Sequence, residues 1–189
     1  SYGADSMFGG NFDIGTRFGS EDSFGIRVNG VYRDGKTAVD NDKRSVRVLG
    51  ASFDFRRGPG RFYLDFGYED QRANWTRPTV RLAAGIPVPA APDANANYGQ
   101  PWTFTKLRDI YLLARAELDL TDDIMAYAAA GMRDGAESGD YSTLTVTNAT
   151  TGAATGGRLF VPREDNNEAG QIGVRGKVSF AGMSHEFNI

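Results

Sequence analysis

The chain has 189 residues, enough for one ordinary domain, and carries 21 Lys and Arg against 24 Asp and Glu for a net charge of −3. That balance supplies no basic footprint for nucleic acid. With no cysteine and a single histidine, His185, the chain excludes disulfides, thiolate metal sites, a cysteine nucleophile and multi-histidine metal centres.

No run approaches the ~20 apolar residues of a membrane helix. The N-terminal SYGADSMFGG lacks the basic start and apolar middle of a signal peptide. Twenty-four glycines and 12% aromatic residues suit a β protein better than a helical one. Low mean hydropathy does not exclude a membrane barrel, because only alternate strand residues of such a barrel face lipid.

Alternation with a period of two marks strands along the chain. The first runs through GGNFDIGTRFG, with Phe12, Ile14, Thr16 and Phe18 on one side and Asn11, Asp13, Gly15 and Arg17 on the other. SFGIRVNGVY sets Phe24, Ile26, Val28 and Tyr32 against Arg27 and Asn29. A hairpin follows around Arg57–Gly60: Leu49, Ala51, Phe53 and Phe55 lead in, and Phe62, Leu64, Phe66 and Tyr68 lead out. Its polar side carries Ser52, Asp54, Arg56, Asp65 and Glu69. LRDIYLLARAELDL places Ile110, Leu112, Ala114, Ala116, Leu118 and Leu120 opposite Arg115, Glu117 and Asp119. The segment Ile124–Arg133 is strand-like, but both of its parities are apolar or small, so its facing stays open. AGQIGVRGKVSF sets Ile172, Val174, Val178 and Phe180 against Gln171, Arg175, Lys177 and Ser179, and SHEFNI begins one more strand. Helix is a poor competitor, since each interior glycine would cost ~1 kcal/mol there.

The connections alternate in length. Gly19–Asp22, Arg57–Gly60, Leu120–Asp123 and Phe180–Met183 read as tight turns. Between them lie longer stretches: Arg33–Arg44, about Arg72 to Thr103, and about Asp134 to Asp165. The expected fold is all-β: an antiparallel up-and-down meander of about eight strands with short turns on one rim and long loops on the other. That is the organisation of part of a transmembrane β-barrel. A complete small outer-membrane barrel with a structural or adhesive role, or a soluble β-sandwich binding module, remains an alternative at this point.

Four stretches carry a family resemblance: GGNFDIGTRFGSEDSFGIRVNGVYRDGKTAVD, LAAGIPVPAAPDANANYGQPW, RAELDLTDDIMAYAAAGMRDG and EAGQIGVRGKVSFAGMSH. They resemble TonB-dependent siderophore receptors of Gram-negative outer membranes, and together they cover most of the chain. The resemblance implies a fragment, residues 1–189, from the N-terminal half of a twenty-two-stranded barrel that encloses a plug. It implies that Ser1–Met7 ends an outer loop, that the first strand here corresponds to the second barrel strand, and that plug and remaining strands lie elsewhere. It implies import and no enzymatic activity. A ferric siderophore binds at the outer mouth, and the TonB–ExbB–ExbD complex acts through the plug, driven by the proton-motive force. No cofactor or protein metal site follows, because iron arrives inside its chelate.

In that picture Phe12, Phe24, Phe53, Phe66, Leu112 and Ile172 face outer-membrane lipid. Asp13, Arg17, Arg27, Asp54, Asp65, Glu69, Arg115, Glu117, Asp119 and Arg175 face the lumen, where they meet water and the plug. Tyr32 and Tyr68 suit an interfacial aromatic girdle. The long loop between Asn74 and Phe104 holds Trp75, Tyr98 and Trp102, which offer flat apolar contact to a bulky chelate; pinning the loop to the rim is their other role. Its prolines, Pro78, Pro87, Pro89, Pro92 and Pro101, favour extended backbone. Asn148-Ala-Thr150 matches a glycosylation acceptor by chance, Asp40–Lys43 lacks the spacing of a calcium loop, and His185 belongs beside a turn. Two open sheet edges imply self-association of an isolated piece.

Overall fold

The computed structural model describes residues 5–189 and the strand backbone of Tyr2–Gly3. Its strands are β1 (Tyr2–Gly3), β2 (Met7–Phe18), β3 (Phe24–Lys36), β4 (Lys43–Arg57), β5 (Gly60–Asn74), β6 (Thr79–Leu82), β7 (Phe104–Asp119), β8 (Ile124–Val146), β9 (Ala154–Phe180) and β10 (Met183–Asn188). They form one open ten-stranded sheet in which chain neighbours pair antiparallel, in the order β1-β2-β3-β4-β5-β7-β8-β9-β10. The short β6 leaves this path and lies parallel beside the far end of β8, from Thr79 opposite Thr143 to Leu82 opposite Val146. The segment Ser1–Met7 reaches partly outside the described residues; within them, Tyr2 opposes Phe8 and Gly3 opposes Met7.

Register settles the two faces, because directly opposed residues of antiparallel strands share one. One row runs Ile14, Val28, Ala51, Phe66, Leu112 and Met132 across β2 to β8. A row of the opposite face runs Arg17, Gly25, Asp54, Tyr63, Arg115 and Ala129. The facing of Ile124–Arg133 now follows: Ala126, Ala128, Ala130 and Met132 belong with the apolar row, and Tyr127, Ala129, Gly131 and Arg133 with the polar one. Neighbour strands decide this where the segment's own side chains could not.

Among the described residues no other element packs over the apolar face. Among the described residues only Met125 and Val146 are buried hydrophobic side chains, whereas Ile14 is 69% exposed and Ile172 85%. A β-sandwich would bury that face against a second sheet, so the sandwich alternative fails. At the turn end Phe24 packs with Phe18, Phe53 and Phe55 at ring separations of 5.6, 6.1 and 4.7 Å. On β4 the apolar run lies between Arg57 and Arg47, ten residues apart. At ~3.3 Å per residue and a tilt near ~40° that is a band of about 25 Å, the height of a membrane barrel's apolar belt.

All four tight turns are where the sequence places them. In the β4–β5 turn Gly58 adopts φ 54 ahead of Pro59, a left-handed position that glycine takes without strain. The opposite rim differs from expectation. β3 continues to Lys36 and β4 resumes at Lys43, so the Arg33–Arg44 connection shrinks to residues 37–42. The stretch from Asp134 to Asp165 is chiefly strand: β8 has 23 residues and β9 has 27, joined by residues 147–153. At ~3.3 Å per residue they are about 75 and 90 Å long, well beyond the ~10 residues a bilayer needs. Beyond the apolar band neither face needs to be apolar, so this hairpin shows no hydrophobic alternation and its polar residues read as loop. Only residues 75–103 form a long connection, and it contains β6.

Candidate functional site

The ten charged residues assigned to the lumen share the face opposite the aromatic one, and the structure sorts them into pairs. Arg17 donates two hydrogen bonds to the Asp54 carboxylate, Nη2 to Oδ1 at 2.9 Å and Nη1 to Oδ2 at 3.1 Å. The pair spans β2 to β4 across Gly25, the residue of β3 lying between them, where a Cβ would overlap both side chains. Arg27 Nε donates to Asp13 Oδ1 at 2.8 Å. Ser52 Oγ donates to Asp65 Oδ1 at 2.6 Å, and Gln71 donates to Glu69.

The densest cluster lies near the short-turn rim. Glu117 is buried, with 8% of its side chain exposed, and faces three arginines. Arg61 Nε donates to its Oε2 at 3.0 Å, Arg115 pairs with Oε1, and Arg175 Nη2 stands 3.7 Å from Oε1. Arg61 also pairs with Asp119, and its Nη2 lies 3.2 Å from Met125 Sδ. Arg61 completes this cluster and was not singled out from the sequence, although its parity, opposite to Phe62, placed it on the polar face.

Toward the long-loop rim the same face continues with groups the sequence did not select. Asp109 pairs with Arg133. Glu137 accepts a hydrogen bond from the Tyr141 hydroxyl at 2.6 Å and has Arg163 at 3.5 Å, which in turn pairs with Asp165 at 2.9 Å. Burial pushes the Tyr141 pKa above the ordinary tyrosine range, and its bond to the Glu137 carboxylate pushes it the same way. Glu137, Tyr141 and Arg163 lie in the stretch expected to be loop, whereas Asp109 and Arg133 lie in expected strands and become partners only through the register of β7 and β8.

The long connection is tied down at several points. The Trp75 backbone N–H donates to Thr103 O at 2.8 Å and closes its two ends, while the indole Nε1 donates to Gly99 O at 2.9 Å. Asn97 Nδ2 bridges Trp75 O at 2.8 Å and Asp40 O at 2.7 Å, and Asp40 N donates to Asn95 O at 2.9 Å. Asp42, nearly fully buried, pairs with Arg44 at 3.0 Å. The acidic Asp40–Lys43 stretch therefore locks one outer loop onto another.

Tyr98 remains 38% exposed with the Arg77 guanidinium 5.6 Å from its ring centre. Trp102 lies beneath Arg158, 5.0 Å from ring centre to guanidinium, and Arg158 Nη2 donates to Asp140 Oδ2 at 2.6 Å. Asp140 shares the face of Met132, so Trp102 sits on the outward side, apart from the Glu137 group. Asn148 Oδ1 accepts from the N–H groups of Thr150 and Thr151 at 2.9 and 3.0 Å, which spends that motif on a turn. His185 opposes Val178 on the aromatic face. Among the described residues no group of three or more His, Asp or Glu side chains is placed to hold a metal ion.

A sheet with an unpartnered apolar face, an ion-paired polar face and unequal rims can be compared with known barrels. The chain is similar over its whole length to the ferrichrome receptor FcuA of Yersinia enterocolitica, at 32% identity over 188 residues. Along its length the chain is similar to part of an outer-membrane siderophore receptor. It spans 25% of that relative's length. In structure the chain is similar to BauA, the ferric preacinetobactin receptor of Acinetobacter baumannii, with a TM-score of 0.92 at 27% identity, covering 99% of this chain and 28% of BauA. The pyoverdine outer-membrane receptor FpvA of Pseudomonas aeruginosa superposes with a TM-score of 0.86 over 99% of this chain and 28% of its own; at 14% identity that likeness speaks for the fold alone. No family model matches the chain.

Proposed function

We propose that this chain is wall from a receptor that binds a ferric siderophore at its outer mouth and imports it in a TonB-dependent manner, with the proton-motive force as energy source. The observation that carries this is the match of the whole chain to a ferrichrome receptor at 32% identity. The two-faced sheet supports it: lipid meets the aromatic face, and the paired charges meet water and the receptor's plug, through which the TonB–ExbB–ExbD complex would act. We assign transport and no catalysis. Iron is cargo and enters already chelated, so the wall supplies contact surface and no resident cofactor.

Within the mouth we assign ligand contact to the long connection. Tyr98, exposed and carrying Arg77, offers a flat ring with a cation beside it. Trp75 and Trp102 hold the ends of the connection in place, Trp75 through Thr103 and Gly99 and Trp102 through Arg158. The test is growth of an iron-starved receptor-deletion strain, complemented with the full-length gene, on a panel of ferric siderophores. Rescue by at least one of them is expected, and Y98A should weaken rescue by that same siderophore. Failure of every chelate with the receptor present in the outer membrane would overturn the assignment.

A further inference from the structure

Asn97 is half-buried, and its side-chain amide fastens three separate segments. Nδ2 donates to two backbone carbonyls that lie far apart in the chain: Asp40 O at 2.7 Å, in the connection of residues 37–42, and Trp75 O at 2.8 Å, just past the end of β5. Oδ1 accepts from Gly99 N at 2.8 Å, within the long connection itself. Both amide hydrogens face carbonyls and the amide oxygen faces an N–H, so only one orientation of the group satisfies all three bonds. An aspartate in this place would have the same shape, no hydrogen to give, and a charge set against two carbonyl oxygens.

What Asn97 joins is itself stiff. Residues 37–42 are closed from within: Thr37 N donates to Asp42 O at 2.9 Å, Val39 N to Thr37 Oγ1 at 3.1 Å and Asp42 N to Val39 O at 3.1 Å. Trp75 has φ 55, a left-handed conformation that a bulky residue keeps only where its surroundings hold it. Here the Thr103 carbonyl holds its N–H, Asn97 holds its carbonyl and Gly99 O holds its indole. Gly99 fits so closely that a Cβ would overlap Thr76 O. Between Asn97 and Gly99 stands Tyr98, which makes none of these bonds and keeps its ring exposed beside Arg77. Arg77 is fastened in turn by its Nη2 to Ala94 O.

We infer that Asn97 is a positioning residue. It latches residues 37–42 and the long connection into one body, and it presents the Tyr98 ring in a fixed place without touching the ligand itself. A ring on a loose loop must be ordered when the ligand arrives, and that cost is taken from affinity. The latch meets the cost during folding, so the contact surface stands ready before binding. The positioning role rests on the assignment of Tyr98 to siderophore contact; the latch rests on the hydrogen bonds alone.

The test uses the full-length receptor in detergent, with unchanged heat-modifiable mobility showing that each variant is folded. Spin labels on A38C and A91C, at exposed positions of the two connections, report their separation with no ligand present. A narrow distance distribution is expected for the parent and a broad one for N97D. N97A should broaden it less, because the Asp40 N to Asn95 O bond remains and no carboxylate repels the carbonyls. N148D, the same exchange in the turn between β8 and β9, should leave it narrow. Binding is read with a ferric trihydroxamate and a ferric tris-catecholate as probes. For the probe that the parent binds, N97D should weaken affinity about ten-fold, as when Tyr98 stands in place a tenth of the time. The Asn95 amide lies 3.4 Å from the Asp40 carboxylate, and the chain has no cysteine of its own. A thiol-cleavable linker between D40C and N95C should therefore restore N97D binding until thiol is added. A narrow distribution in N97D would overturn the latch. Unchanged affinity in N97D, or a loss that the linker fails to restore, would overturn the positioning role. The distances fail only with the latch and parental binding fails only with the siderophore assignment, so the two are told apart.

Discussion

Glu117 offers the sharpest test of what holds the polar face together. E117A removes the carboxylate that Arg61, Arg115 and Arg175 share and leaves three guanidinium groups with Asp119 alone. Breaking a fully buried pair costs about 3–5 kcal/mol, and losing an exposed one about 0–1. Glu117 itself is buried, but Arg61, Arg115 and Arg175 keep 28%, 43% and 53% of their side chains exposed, so water takes over part of the lost solvation. The loss should therefore fall near 2 kcal/mol, between the two limits. Urea unfolding of the full-length receptor in detergent, followed by tryptophan fluorescence, measures it. R115A should cost less, and the double variant should show a coupling of about 1 kcal/mol. Because the residual effect is repulsion among arginines that water reaches, high salt should narrow the gap between E117A and the parent. E117A and E117Q both matching the parent, or strictly additive losses for Glu117 and Arg115, would refute the cluster as a source of stability.

Other tests follow from the same geometry. G25A should destabilise the receptor by prising Arg17 from Asp54, and the same change should be nearly silent in an R17A background; a full penalty there would show that Gly25 is needed for another reason. I172R, on the aromatic face, should cost ~2–4 kcal/mol in folding into lipid vesicles, whereas Q171R on the opposite face should cost much less. Spectrophotometric titration should find Tyr141 among the last tyrosines to ionise, with Y141F removing that late phase. The sign follows from a folded-state pKa above the unfolded value of ~10: the contribution of Tyr141 is complete below that pH and disappears as pH rises through the raised value. Y141F should thus soften the alkaline loss of stability, and an unchanged alkaline limb would refute the Glu137 contact as its origin.

Much of the sheet was legible because a membrane wall writes its period into the sequence. Phe53, Phe55, Phe62, Leu64 and Phe66 alternate with Ser52, Asp54 and Asp65 since lipid tolerates none of the latter on its side. The tight turns were legible through Gly58-Pro59 and Gly182, residues suited to the backbone shape a turn needs. Ile124–Arg133 was not, because alanine and glycine suit either face; its facing is imposed by Leu112 and Ala114 of β7 and by Ile172 of β9. The projecting hairpin escaped for the opposite reason. Neither side of residues 134–165 has to be apolar, so nothing forces alternation, and backbone pairing together with the Arg158–Asp140 and Arg163–Glu137 pairs keeps β8 and β9 together.

The same contrast explains which site residues a sequence could yield. Parity assigns a charge to a face but not to a partner, since the partners come from other strands. Arg17 and Asp54 lie 37 positions apart and meet only because Gly25 leaves the gap between them. Arg61 and Glu117 lie 56 apart and meet because β5 and β7 become neighbours once the long connection leaves the sheet. On the polar face this pairing neutralises Arg17, Arg27, Arg61, Arg115, Arg133 and Arg163 locally. On the outward rim the same residue types stand beside Tyr32 and Phe104 instead of carboxylates. An aromatic partner orients a cation without neutralising it.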